Sequence, residues 1–370
     1  MGMRKKRTKN FINQHAAHRG SKRFLRACRR RKERKSHHRS PLNEHIATKF
    51  KHKTPQNEYK DYKFISAPQS FSVIKNAEET LEFMNKVLHN YEKKRKTFID
   101  LSNVEQVADD ALVLLLAYML MFRSSKIPFN GNFPQDRESR KKIKDSGFLD
   151  TLYEKVKQRN SYDIGQGSNR FRTHANKIVD QEKTDEIIKD ASTTIWGEAR
   201  RCPKVQRSLI ELMQNTNNHA GKTPGQQHWW MSVAQNAKEH KVTISFIDFG
   251  MGVLKSLDSK KENENFFRWR TLLDKFHPGV KTDAENMKLI MEGALYQDKP
   301  ASATNKYYRG KGLPGIYKAM QENAFTNLII ITNKVYANVS TDDYSMLKNE
   351  LKGTFVSWEL NKDITSLSWI

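Results

Sequence analysis

The sequence predicts an α/β protein: a small α/β domain over residues 60–155 and a larger α/β domain over 185–370, joined by a linker at 156–184 and preceded by a basic tail and linker at 1–59. Three observations predict it. A hydrophobic content of 37% in 370 residues is enough to build cores of that size. Short apolar runs of strand length alternate with longer segments whose apolar residues recur every three or four positions. The charge is segregated, since residues 1–40 hold 16 Lys and Arg against Glu33 alone and so carry +15 of the net +25.

That tail contains runs such as Arg29-Arg30-Arg31-Lys32 and few large apolar side chains. Burial cannot offset the entropy of ordering it, so the expectation is a disordered segment that contacts a polyanion such as nucleic acid through clustered cations. A solubilising tail, an anionic-membrane or ribosome patch and a localisation signal stay open on charge alone. The longest uncharged apolar run, residues 111–122, has 12 residues, against the roughly 20 that a membrane-crossing helix needs. With no apolar signal core at the N-terminus, a cytoplasmic protein is expected. Cys28 and Cys202 are the only cysteines, which argues against a disulfide framework or a Cys-based zinc site.

In the small domain, residues 63–65 and 71–74 read as strand pieces. Asn76 is placed to cap a helix whose Leu81, Met84, Val87 and Leu88, with Phe83 alongside, follow helical spacing up to the basic stop at 93–96. Thr97-Phe98-Ile99-Asp100-Leu101 is a buried-type strand, residues 104–122 one long helix, Ile127-Pro128-Phe129 a further strand, and 137–144 a charged helix ending before Gly147. The run Phe98-Ile99-Asp100-Leu101-Ser102-Asn103-Val104, followed by an apolar helix and a short strand, resembles the STAS domains of anti-sigma-factor antagonists. The resemblance implies a module that engages a protein partner. Where those domains often carry a phosphorylatable Ser, this chain has Asp109-Asp110-Ala111.

The chemistry-bearing residues lie further on. Within 185–220, Ile187, Ile188 and Ala191 mark one helix face and Val205, Leu209, Leu212 and Met213 another. On the second helix Glu211, Asn215 and His219 stand at i, i+4 and i+8 and share one face. An amide oxygen there suits a Mg²⁺ coordination place and a carboxylate suits proton acceptance. Residues 229–233 and 241–247 alternate like two antiparallel strands, and the second runs into Asp248-Phe249-Gly250-Met251-Gly252. An acid at a strand end can accept from an exocyclic amine, and glycines let backbone approach a flat ring. Arg309-Gly310-Lys311-Gly312-Leu313-Pro314 leads into a helix whose free N–H groups, with Lys306 nearby, suit phosphate oxygens. It matches neither a Walker loop nor a Rossmann fingerprint. Residues 327–332 form a continuous apolar strand, and a final alternating strand begins at Gly353-Thr354, where the Thr hydroxyl can reach a base edge.

In that order, ExxxN, DxGxG, a glycine turn into a helix and a Gly-Thr strand resemble the four boxes of the GHKL ATPases. The resemblance implies a Bergerat-type α/β sandwich over 185–370 holding ATP and Mg²⁺ under a lid within 253–308, with Phe266, Phe267 and Trp269 as the lid's anchors. It implies Glu211 as general base, Asn215 as Mg²⁺ ligand, and Asp248, Gly250, Gly252 and Thr354 around adenine. Arg309, Gly310, Lys311, Gly312 and Leu313 are then implied for the phosphates. Within the family, Glu211, Asn215 and His219 resemble the ExxxNxxxH helix of anti-sigma-factor serine kinases, which implies transfer of the γ-phosphate to a partner's Ser or Thr. His174 lacks the context of a histidine autokinase. A conformational ATPase or a nucleotide-gated binding module, attached to nucleic acid by the basic tail, is the alternative; against the first, only 16 residues follow Thr354, too few for a transducer domain.

Overall fold

The computed structural model describes residues 59–153, 169–174, 179, 181–219, 229–262, 268–280, 282–296, 312–364, 369 and 370. It is a mixed α/β architecture with two small parallel sheets and one five-stranded antiparallel sheet. Among the described residues no helix is long and apolar enough to cross a membrane.

The first parallel sheet joins β1 (Lys63–Ser66), β3 (Thr97–Asp100) and β5 (Phe129–Gly131) in that order. A second pairs β2 (Ser70–Phe71) with β4 (Gln106–Val107). Parallel neighbours need crossovers, and α1 (Ala77–Glu92) and α2 (Asp109–Ser124) supply them. Asn76 does occupy the N-cap of α1, yet its side chain makes no cap bond; the amide donates instead to Ser70 O at 3.0 Å and Glu79 Oε2 at 2.9 Å. The long helix starts at Asp109 rather than Val104, because Gln106 and Val107 are taken by the ladder to β2. An apolar surface all round buries α2 on every side, with Ala111 through Met119 all inaccessible. The charged helix is α3 (Arg137–Asp145), capped by Asp136 through Ser139 N at 2.7 Å, and α4 (Phe148–Tyr153) follows Gly147.

The five-stranded sheet runs β6 (Asn169–His174), β7 (Trp229–Asn236), β8 (Lys241–Asp248), β10 (Asp343–Asn361) and β9 (Thr326–Asn338) in spatial order. Two strands depart from the sequence reading. Residues 169–174, expected in a linker, form the edge strand β6 against β7. β10 does not begin at Gly353-Thr354 but ten residues earlier, where Asp343 to Met346 pair with the far end of β9. Asp342, left-handed at φ 56°, turns the chain between them.

Side chains on each strand alternate between two cores, as a pleated sheet requires. On one face Met231, Phe246, Ile330, Val356 and Trp358 pack with α5 (Gln181–Trp196), α6 (Pro203–His219), α7 (Val253–Asp258), α8 (Trp269–Phe276), α9 (Asp283–Met291) and α10 (Gly312–Gln321). Pro203 takes the first position of α6, where its missing N–H costs nothing. On the other face Trp230, Ile247, Ile329, Ile331 and Phe355 join one cluster with Leu81, Leu112 and Leu115 from α1 and α2. The small domain is thus built onto the back of the sheet. Polar ties reinforce it: Lys348 N donates to Glu78 Oε1 at 2.8 Å, Asn85 Nδ2 to Glu350 O at 3.0 Å, and Tyr336 Oη to Ile74 O at 3.2 Å.

The segment expected as a lid is largely packed. Trp269 is buried and donates its indole N–H to Asp258 at 2.8 Å, while Met287, Ile290, Met291 and Leu295 lie in the first core. Apolar spacing on α9 fixes it there. Phe266, Phe267 and residues 297–308 lie outside the described part.

Candidate functional site

Two groups of residues carry the candidate chemistry. The first forms where α10 meets α6. Glu211 and Asn215, one turn apart, are both half-buried. Burial raises the carboxyl of Glu211 above its ordinary range, an effect that Arg207, 4.0 Å away on the same helix, opposes. Gly312, the first residue of α10, sits directly on this pair. A Cβ added there would come 2.8 Å from Asn215 Nδ2 and 3.4 Å from Glu211 Oε2. The helix start, whose first N–H groups have no partner within the helix, therefore abuts the amide and the acid only because the residue has no side chain. Leu313 follows, partly buried against the first core. Glu211 and Gly312, 101 positions apart in the chain, are brought into one locus.

The second group stands at the end of β8. Asp248 is paired in register with Thr354 on one side and Trp229 on the other. Its Oδ1 accepts from Gly250 N at 2.7 Å, and the Thr354 hydroxyl donates to it as well. Burial outweighs both bonds and raises this carboxyl to about 6. Gly353, at φ +124°, turns the chain so tightly that a Cβ would overlap the carbonyl oxygen of Asp248. Glycine is required there on both counts.

Residues outside the expected set complete this second group. Thr332 Oγ1 accepts from Val253 N at 2.9 Å, donates to Gly353 O at 3.1 Å and lies 3.4 Å from Thr354 Oγ1. Asn333, left-handed at φ 53°, donates Nδ2 to Met251 O at 2.8 Å and accepts from Leu254 N at 3.1 Å. It thereby fixes the loop at both ends and caps α7. Gly252, at φ +78°, passes so close to that amide that a Cβ would sit 2.5 Å from Asn333 Nδ2. Glu350 ties this amide onward: it accepts from Lys255 Nζ and, through its backbone oxygen, from Asn85 of α1. Phe249, between Asp248 and Gly250, is buried and packs on Tyr118 of α2 with centroids 5.2 Å apart. A polar Thr-Asn pair directly after an unbroken apolar run was the signal available in the sequence for Thr332 and Asn333.

Arg309, Gly310, Lys311, Lys306 and the cationic run Arg29, Arg30, Arg31 and Lys32 lie outside the described residues, as does the side chain of His219. His174 lies on β6, where only the backbone is described. Cys202 is buried as a free thiol just before α6. Among the described residues no group of three or more His, Cys, Asp or Glu is placed to hold a metal ion. Compared with known proteins, the chain matches no protein-family model and no curated protein.

Proposed function

We propose that residues 185–370 form a Bergerat-type domain of the GHKL class that binds Mg-ATP, and that the protein acts as a nucleotide-dependent switch which passes the γ-phosphate to water or to a protein Ser or Thr. The observation that carries this reading is the contact of Gly312 with Glu211 and Asn215, which joins a helix N-terminus to an amide and a half-buried acid. The pairing of Asp248 with Thr354 beside two loop glycines supports a purine site in the same domain.

The residues fit the group they would hold. Mg²⁺ keeps several waters and takes further ligands from substrate phosphates, so few protein ligands are needed and an amide oxygen from Asn215 could be one of them. Bound Mg-ATP would supply a phosphoryl group whose charge the metal disperses. The N–H groups at the start of α10 would receive phosphate oxygens. Asp248, in its ionised form, would accept from the exocyclic amine of adenine while Gly250 and Gly252 let the backbone lie close to the ring. Glu211 would take the proton of the attacking hydroxyl as its oxygen bonds to the γ-phosphorus and the bond to the departing diphosphate breaks. A carboxyl raised by burial is a better proton acceptor than an exposed one. The STAS-like domain on the back of the sheet is the proposed seat of the protein partner, and the basic tail the proposed seat of a polyanion.

The test is a γ-labelled ATP assay with nucleotide binding measured in parallel. Glu211→Ala should retain binding and lose turnover, whereas Asp248→Ala should lose binding. Label on a co-purifying protein selects the kinase; label released only as free phosphate selects the conformational ATPase. Full turnover in Glu211→Ala removes its role as base, and unchanged binding in Asp248→Ala removes the purine site.

A further inference from the structure

The helices α1 and α2 stop at the same edge of the small domain, where its three parallel strands begin. Tyr91 Oη and Ser125 Oγ lie 3.0 Å apart across the two helix ends. Lys63 N donates to Lys96 O at 2.8 Å and Thr97 N to Pro128 O at 3.2 Å, so the starts of β1, β3 and β5 are tied into one rim. That rim is basic. Lys63, Lys93, Lys94, Arg95, Lys96 and Lys126 are all exposed there, against two acids, Asp61 and Glu92. The rim thus carries +4, whereas residues 61–153, with 14 Lys and Arg against 13 Asp and Glu, carry only +1 in all. The rest of the domain is net negative. Both acids are already engaged, Glu92 with Lys352 of β10 at 2.7 Å and Asp61 with Lys96 at 3.6 Å. The other five cations make no ion pair among the described residues.

The needs of the fold do not account for this charge. Cations offset the dipole at a helix C-terminus, but two helix ends present only about one negative charge between them. Turn geometry argues against lysine altogether. Both helices close with the same motif: Lys94 N donates to Tyr91 O and Arg95 N to Asn90 O in one, Lys126 N to Arg123 O and Ile127 N to Phe122 O in the other. The residue after the cap is left-handed in each, Lys94 at φ 52° and Lys126 at φ 56°. That position favours glycine, then asparagine, because a Cβ is strained there. The other non-glycine residues at positive φ among the described ones are Asn323, Asn327, Asn333, Asp342 and His240, the types that tolerate it best. Lysine stands at both turns of the rim in spite of the strain, which points to a use for the charge outside the fold.

We infer that this rim grips the phosphate backbone of a nucleic acid, with Lys94, Arg95 and Lys126 as its principal contacts. A bilayer suits it less, because neither turn carries an exposed large apolar side chain to insert. The inference extends to the folded body the polyanion contact proposed for the tail, and it is tested with the tail in place. It shares no residue with the proposed ATP site. Fluorescence anisotropy of a labelled random-sequence duplex of about 20 base pairs, titrated with the full chain from about 50 to about 200 mM salt, reads affinity and salt dependence together. Lys94→Gly with Lys126→Gly should weaken binding at least about fivefold and lower the slope of log affinity against log salt by ~1.8, as two lost phosphate contacts would. The same variant should keep or raise the urea midpoint, since glycine relieves both turns. Arg95→Ala alone should lower the slope by ~0.9. Lys141→Ala with Lys238→Ala, exposed cations away from the rim, should change affinity less than about twofold. Native affinity and slope in the double glycine variant would leave the tail as the sole contact and overturn the inference. So would an equal loss in the control pair, or binding to mixed phosphatidylserine and phosphatidylcholine vesicles without binding to the duplex.

Discussion

The two faces of the five-stranded sheet each have an acid shielded from water, Asp110 fully and Asp248 in part, and the pair behaves differently. Asp110, at the start of α2, is 7% exposed and fully engaged: Val73 N donates to it at 2.8 Å and Ser72 Oγ at 2.9 Å. Asp248, on the last residue of β8, keeps a partly exposed surface beside Gly250. Burial raises both carboxyls to about 6. Desolvation alone therefore does not distinguish an acid that holds the fold together from one that keeps access to solvent. What distinguishes them is remaining access, which is why Asp248 enters the proposed site and Asp110 does not.

The largest test of this contrast removes one face. Deleting residues 59–155 would expose Trp230, Ile247, Ile331 and Phe355 together, and the remainder should be recovered only as aggregate in size-exclusion chromatography. Gly353→Val should follow, costing about 4 kcal/mol or more in urea unfolding, because positive φ and overlap with the Asp248 carbonyl add. Ile330→Ala and Ile331→Ala empty opposite cores from adjacent positions. Each should cost about 3 kcal/mol, and equal values would confirm that both faces are packed to the same standard.

The acids give the next test. A carboxyl whose folded pKa lies above its unfolded value of about 4 binds its proton more tightly in the native state. Each thus contributes stability that is complete below pH 4 and lost as pH rises through about 6. The loss is about 3 kcal/mol per group, from two pKa units. Asp110→Asn and Asp248→Asn should each remove one share of the pH dependence in urea unfolding at pH 4 and pH 7. Only Asp248→Asn should also weaken ATP binding. The smallest effect should come from Asn85→Ala, about 1 kcal/mol for one lost bond to Glu350 O.

Much of this was legible in the chain. Alternation gave β7 and β8, and helical spacing put Glu211 and Asn215 on one face of α6. The glycine turn into α10 was also readable, though not that Gly312 would touch residues a hundred positions earlier. Contacts at that separation leave no local trace. The first half of β10 was missed because residues 343–350 lie at the sheet's far end, where mostly exposed side chains need no apolar alternation. β6 was missed for a related reason: its sequence, Asn169-Arg170-Phe171-Arg172-Thr173-His174, suits an edge and reads as linker. The covering of the sheet's back had a signal that went unread. Residues 328–331 are apolar at every position, and an unbroken run of that kind marks a strand buried on both faces.

Glu350 holds Lys255 of α7 with its carboxylate and gives its backbone carbonyl to Asn85, so one residue of β10 joins the helix that follows the Gly250–Gly252 turn to α1 on the back of the sheet. Linkage between two binding equilibria is reciprocal. If nucleotide at the proposed site were to tighten this shared strut, the docking of α1 on the sheet would tighten with it, and whatever loosened α1 would weaken the nucleotide's hold by the same factor. Communication in this molecule would then need no hinge, only a single residue whose side chain holds one end and whose backbone holds the other.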